Sequence, residues 1–200
     1  MTKPNYKPIP ELAAYCEPEK LLTWHNENEE LILQRPSDEH ATQIMEYRQE
    51  FLAAGDSMDG CGSLRQTENA TEYIKSCREK EDPATVPAHL VPATQFFLIR
   101  KADNKIIGMI QVRHRFNEYL EKYAGHIGYS VRPSERRKGY AKQMLAMALP
   151  YCRARSIKKA LVCCVEGNVG SEKTILANGG VYESTVENNG RRLKRFWIDP

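Results

Sequence analysis

The sequence predicts an α/β chain of about seven strands and about four helices in mixed order. Three observations carry that expectation. KALVCCVEG, residues 159–167, is a nearly all-apolar run set between two helical segments, which is how a strand covered on both faces reads. Ala141, Met144, Leu145, Ala148 and Leu149 recur at the spacing of one helix face. Short strands meet at turn residues such as Asn189-Gly190, a hairpin signal.

The elements follow in order. Residues 1–29 are Pro-rich, then polar and acidic, and are expected to form an N-terminal extension to a domain spanning residues 30–200. LILQR, residues 31–35, reads as the first strand. Ser37 with Asp38 and Glu39 supplies a helix start, and Ile44, Tyr47, Phe51 and Leu52 form an apolar stripe that Gly55 ends. DSMDGCGS, residues 56–63, is an irregular loop, and a second helix is expected over Glu68 to Lys80. Three prolines in EDPATVPAHLVPA, residues 81–93, forbid regular structure. TQFFLIRKA and IIGMIQVRHR are then two strands joined at Asp103-Asn104-Lys105. A loop from Phe116 to Ala124 leads to the strand HIGYSVR, followed by a helix that Pro150 is expected to kink or end. After the apolar strand come a helix over Val169 to Asn178 and a closing hairpin.

Composition narrows the function classes. At 41% hydrophobic and 28% charged residues the chain is ordinary for a soluble globular protein, and a net charge of +3 gives no general reason to expect nucleic acid or a membrane surface. No apolar stretch approaches the roughly 20 residues that span a bilayer, and the N-terminus lacks a signal-like apolar run, so a cytoplasmic protein is expected. The six cysteines show no C-x-x-C pair and no zinc-ligand spacing, so neither a disulfide framework nor a metal is expected. Cys163 and Cys164 read as buried free thiols. Arg191, Arg192, Lys194, Arg195 and Trp197 alternate along the last hairpin and read as a solvated face rather than a nucleic-acid platform.

One stretch is electrostatically odd. VRPSERRKGYAKQML, residues 131–145, places Arg136, Arg137 and Lys138 where a helix N-terminus already carries positive potential. Like charge there costs roughly a few tenths of a kcal/mol per residue unless an anion offsets it. The first turn also exposes unpaired N–H groups, Gly139 permits close approach to the main chain, and small Ala141 keeps the next turn clear. Phosphate oxygens fit that donor set, with Arg137, Lys138 and Lys142 as further cations. Neither G-x4-G-K-[ST] nor G-x-G-x-x-G occurs, so a nucleotide P-loop and a dinucleotide fingerprint are both excluded.

Arg-x-x-Gly-x-Ala after a strand ending in V-x-P, within HIGYSVRPSERRKGYA and followed by CVEGNVGSEKTILANGG, resembles the GCN5-related N-acetyltransferase superfamily. Residues from about 30 to 199 match that family's order of elements. The resemblance implies a mixed, mostly antiparallel sheet splayed at its central strands, and acetyl transfer from acetyl-coenzyme A to a primary amine. It implies that Arg136, Arg137, Lys138, Gly139, Tyr140, Ala141 and Lys142 cradle the cofactor's pyrophosphate. The backbones of Tyr129 and Val131 would pair with its pantetheine arm, and Asn168 and Ser171 would flank it. A coenzyme A-binding sensor without turnover is the alternative from a different class.

Chemistry then asks for a base. A lysine-like amine of pKa about 10.4 lies about three units from neutral at pH 7, a cost of about 4 kcal/mol. His126, which opens the central strand, is the favoured candidate; Glu118 and Glu166 are alternatives, and His114 or Arg115 would face the acceptor. The family often carries a tyrosine seven residues past the Asn168 position to protonate the thiolate, but Ile175 stands there, leaving water or another group such as Tyr182. A main-chain N–H near Val131 is a candidate oxyanion donor. The acceptor, a small-molecule or peptide amine, is expected among the first two helices, the 56–63 loop and the last hairpin, where Asp56 and Asp59 would meet a cation. A homodimer is compatible with all of this.

Overall fold

The computed structural model describes residues 22–25 and 29–200. Among these residues, eight strands form one sheet in the order β1-β2-β3-β4-β5-β6-β8-β7. They are β1 (Leu22–His25), β2 (Glu30–Gln34), β3 (Ala93–Arg100), β4 (Lys105–Arg113), β5 (Ile127–Val131), β6 (Ala160–Val165), β7 (Val181–Asn188) and β8 (Arg191–Ile198). Every neighbouring pair is antiparallel except β5 and β6. The seven expected strands are all present. The eighth, β1, falls in the stretch read as an extension and pairs with β2; the rest of that expectation, at residues 1–21 and 26–28, lies outside the described residues.

Among the described residues, four α-helices cover the sheet: α1 (Ala41–Ala53), α2 (Ala70–Glu81), α3 (Tyr140–Ala154) and α4 (Val169–Ala177). Ile44, Tyr47 and Phe51 of α1 and Tyr73 and Ile74 of α2 pack with Phe97, Ile99, Ile106 and Met109 on one face. Met144, Leu145, Ala148 and Tyr151 of α3 pack with Ile107, Ile110, Val112 and Ile127 on the other. With both faces covered, β3 is buried from Ala93 to Ile99, and each large apolar side chain so enclosed contributes about 1.5–3 kcal/mol.

Three local expectations are corrected. Pro150 lies inside α3, which runs on to Ala154; buried Tyr151 and Cys152 anchor the last turn and offset a proline cost of about 3 kcal/mol. The loop before β5 is helical over residues 118–124, closing in a wide turn whose Gly125 N–H reaches the Leu120 carbonyl at 2.7 Å. Helix α3 begins at Tyr140, later than the basic run suggested. Pro133–Glu135 form a short 3-10 turn, and left-handed backbone at Arg137 (φ 65°) and Gly139 (φ 87°) holds the residues between as a loop.

The site is opened by what β6 does. It pairs with β8 along its whole length, Ala160 to Val165, but with β5 through the single registered pair Ile127↔Val162. β5 keeps five registered pairs with β4, so the sheet parts beyond Ile127 and leaves one edge of β5 uncovered.

Candidate active site

At the end of that parted edge sits the basic loop. Among the described residues, none of the N–H groups of Arg137 to Lys142 has a hydrogen-bond acceptor; the ladder of α3 starts only with Gln143 N–H donating to the Gly139 carbonyl. Helix geometry explains the last three, whose acceptors would precede the helix, and the left-handed turns orphan the others. An added Cβ at Gly139 would meet nothing within 4 Å, so the space above the loop is free.

The basic side chains divide. Arg136 donates through Nε to the Val131 carbonyl (3.0 Å) and through Nη1 to Asp56, whose carboxyl is held below its ordinary range by that bond. Lys138 donates to Glu135 at 2.8 Å. Glu135 is 5% exposed and also accepts from Arg100 (3.1 and 3.2 Å) and Lys105 (3.0 Å), so its carboxyl lies far below the usual glutamate value, the Arg100 bond contributing most. Tyr140 is buried, with its hydroxyl on Glu29. Arg137 and Lys142 make no ion pair among the described residues. The odd charge run therefore has two answers: Glu135 and Asp56 neutralise part of it, and Arg137 and Lys142 stay available to an anion.

Strand alternation presents the rest. Arg113 N–H donates to the His126 carbonyl and Arg132 N–H to the Ile107 carbonyl, so even-numbered residues of this stretch bond to β4. The main-chain groups of Tyr129 and Val131 consequently face the parted edge, where the Val131 carbonyl is already taken by Arg136 Nε. The Tyr129 side chain crosses to α4, where its hydroxyl meets Ser171 Oγ at 2.8 Å. Asn168 caps α4, its Oδ1 accepting from Ser171 N–H at 3.1 Å. Tyr129, Val131, Asn168 and Ser171 border one cleft of about 650 Å3 together with Arg137, Gly139 and Lys142 of the basic loop. Unpaired amides, two unpaired cations, free space above Gly139 and an uncovered strand edge suit a diphosphate joined to an amide-bearing arm, so the coenzyme fits the residues present.

Away from the basic loop the cleft is lined by Asp59, Arg113, Tyr119, Tyr123 and Cys163, while Asp56 lines it beside Arg136. The loop carrying Asp59 rests directly on β5, because a Cβ at Gly60 (φ 73°) would lie 2.1 Å from the Gly128 carbonyl oxygen. Cys163 and Cys164 both border the cleft, Cys163 only half-buried; burial pushes each thiol up to about 11, leaving them protonated and unreactive at neutral pH.

The catalytic candidates do not converge here. His126 is buried outside the cleft lining, its ring 3.9 Å from that of Phe116. Its Nδ1 accepts from Leu161 N–H at 3.0 Å, which puts the neutral ring's proton on Nε2 and leaves no free lone pair for an amine. Burial, with Arg113 nearby, lowers its pKa to about 4. His126 is thus a strand-end structural residue, a correction to its favoured place as base. Glu118 is exposed at the start of the helical turn and does not border the cleft. Glu166 pairs with Arg192 at 3.2 Å, and Tyr182 bonds Thr185 at 3.0 Å on the outer hairpin. His114 bonds Thr94 at 2.9 Å away from the cleft, and Arg115 is exposed; the residue of that strand that faces the cleft is Arg113. Arg113 lies on the face of Gly128 and His114 on the other; alternation separates the two, but the register with β5 that decides which meets the cleft comes only from the fold.

A helix start with acceptor-free amides beside parted central strands, in a mixed sheet with helices on both faces, is the arrangement of an acyltransferase fold. The chain matches the acetyltransferase (GNAT) family over residues 63–176, more than half its length, and belongs to that family. Among solved structures it is similar to RimJ of Mycobacterium smegmatis in complex with CoA-disulfide (16% identity, 91% of this chain and 88% of that one, TM-score 0.67). It is also similar to ribosomal-protein-S5-alanine acetyltransferase from Vibrio fischeri (15%, 88% and 96%, 0.67) and to the microcin C7 self-immunity acetyltransferase MccE in complex with acetyl-CoA and AMP (17%, 86% and 93%, 0.62). At these identities the likeness speaks to the fold. No curated protein sequence matches the chain. Among the described residues, no helix is long and apolar enough to cross a membrane.

Proposed function

We propose that this chain transfers an acetyl group from acetyl-coenzyme A to a primary amine, the amine attacking the thioester directly. The six amides of Arg137 to Lys142, with the side chains of Arg137 and Lys142, bind the diphosphate, and Arg136, Lys138 and Tyr140 hold the loop in shape. The parted edge at Tyr129 and Val131 takes the amide-bearing arm, flanked by Asn168 and Ser171. The cofactor supplies the activated acetyl group and a thiol leaving group of pKa near 8.5, which water protonates readily. Asp56 is engaged by Arg136, so Asp59, exposed at the cleft, draws in the ammonium and passes its proton to solvent. Tyr119 and Tyr123 wall that region.

The observation that carries this reading is the row of amides without acceptors above an open Gly139. Calorimetry with coenzyme A, and free-thiol release from acetyl-coenzyme A over a panel of amines, test it together. Saturable binding and amine-dependent thiol release are expected. Binding without release under any amine is the outcome for a sensor, and absence of coenzyme A binding removes the reading.

A further inference from the structure

Arg113 is the last residue of a strand that is otherwise apolar from Ile106 to Ile110. Its Nη1 donates to the carbonyls of Ala124 and Gly125, each at 3.1 Å. Nη2 stands over the main chain of β5, where a Cβ at Gly128 would come within 3.1 Å of it. Nε and Nη2 have no hydrogen-bond partner among the described residues, and neither is sealed from solvent. No carboxylate there lies within ion-pair distance, whereas Arg35, Arg100, Arg136 and Arg195 each have one. Burial holds the Arg113 pKa below its ordinary value, and the neighbouring Cys163 thiol is neutral. Asp59 acts on it only from beyond ion-pair distance, so this half-buried guanidinium, with three N–H donors free in a fixed fork, lacks an anion in contact.

That anion is not the coenzyme diphosphate. The Arg113 guanidinium stands over Gly128, and the amides of Arg137 to Lys142 lie beyond Val131, about 10 Å further along β5 at about 3.3 Å per residue. A lone cation suits a monoanion, and the flat fork suits a carboxylate. Asp59, on the loop that Gly60 lays against Gly128, stands on the same side of the cleft for an ammonium.

We propose that Arg113 binds a carboxylate of the acceptor, so that the amine acetylated by this chain belongs to an amino acid or a similarly short aminocarboxylate. This rests on the acetyltransferase reading above. The test measures free-thiol release with three matched acceptors per side chain: the free amino acid, its primary amide and its decarboxylated amine. Wild type is expected to favour the acid form by about 30-fold or more in kcat/KM. R113Q is expected to bring that ratio close to one, chiefly through KM, with coenzyme A affinity by calorimetry unchanged; R113K restores part of it. Equal use of amides by wild type, or an acid preference that persists in R113Q, overturns the proposal while leaving the acetyltransferase reading standing. Loss of coenzyme A binding or of thiol release with every amine in wild type overturns both. Succinyl-coenzyme A distinguishes the source of the carboxylate: if wild type prefers it to acetyl-coenzyme A and R113Q abolishes that preference, the carboxylate belongs to the acyl chain and the acceptor assignment fails. Should R113Q not fold, the wild-type acceptor panel and R113K decide alone.

Discussion

Gly60 and Gly128 are packed main chain to main chain: a Cβ at Gly60 would fall 2.1 Å from the Gly128 carbonyl oxygen and 2.4 Å from the Tyr129 nitrogen. This contact ties the Asp59 loop to the strand that carries the parted edge, so loop position and strand position are set together.

Gly60→Ala is therefore expected to cost about 2–4 kcal/mol, combining a left-handed backbone position with a clash against main chain that cannot yield like a side chain. Urea denaturation measures it. A loss below about 1 kcal/mol would show that the loop lifts freely off β5.

Gly139→Val addresses the amide row. Its Cβ and methyl groups would enter the free space above the loop, and its left-handed φ of 87° is unfavourable to a β-branched residue. Coenzyme A affinity is expected to fall by about tenfold or more, equivalent to about 1.4 kcal/mol. Unchanged affinity in calorimetry contradicts the placement of the diphosphate.

Glu135→Gln removes the anion shared by Arg100, Lys105 and Lys138. Leaving these cations around a neutral, buried group is expected to cost about 2–4 kcal/mol. Because the folded-state pKa of Glu135 is depressed, its contribution is full above the ordinary glutamate value near 4.3 and is lost as pH falls below it. The variant's stability should thus depend less on pH below about 4 than wild type's, as denaturation at stepped acidic pH will report.

His114 and His126 act in the same sense as Glu135, in a higher pH window. Both have folded-state pKa lowered to about 4, burial being the largest cause in each. Between about pH 6.5 and 4 the unfolded chain binds more protons than the folded one, so stability declines as pH falls through that window, by at most about 3 kcal/mol per histidine. His126→Asn should flatten the slope there, and should leave the shape of the activity profile from pH 6 to 9 intact. A collapse of activity on its basic limb would return His126 to the chemistry.

Periodicity and turn residues made most elements legible: the stripe of α3, the apolar strand β6 and the Asn189-Gly190 hairpin are where their side chains require. What escaped was decided by tertiary contact. Pro150 is tolerated because Tyr151 and Cys152 are buried after it, and no local signal announces that. The amide row was legible because glycine and charge mark it, but the partition of its cations needed Glu135 and Asp56 in place. His126 looked reactive by type, whereas its role depends on the Leu161 N–H, 35 residues away. Arg113 was hidden for the converse reason, since a missing partner leaves no trace in a sequence.

The single registered pair between β5 and β6 also bears on how the two halves of the sheet communicate. Strands β1 to β5 and β6 to β8 share little main-chain bonding, so an amide-bearing guest laid along Tyr129 and Val131 would serve as a borrowed strand stitching them together. Hydrogen exchange at those two amides would then slow on coenzyme loading, and cooperativity across the sheet would rise with occupancy.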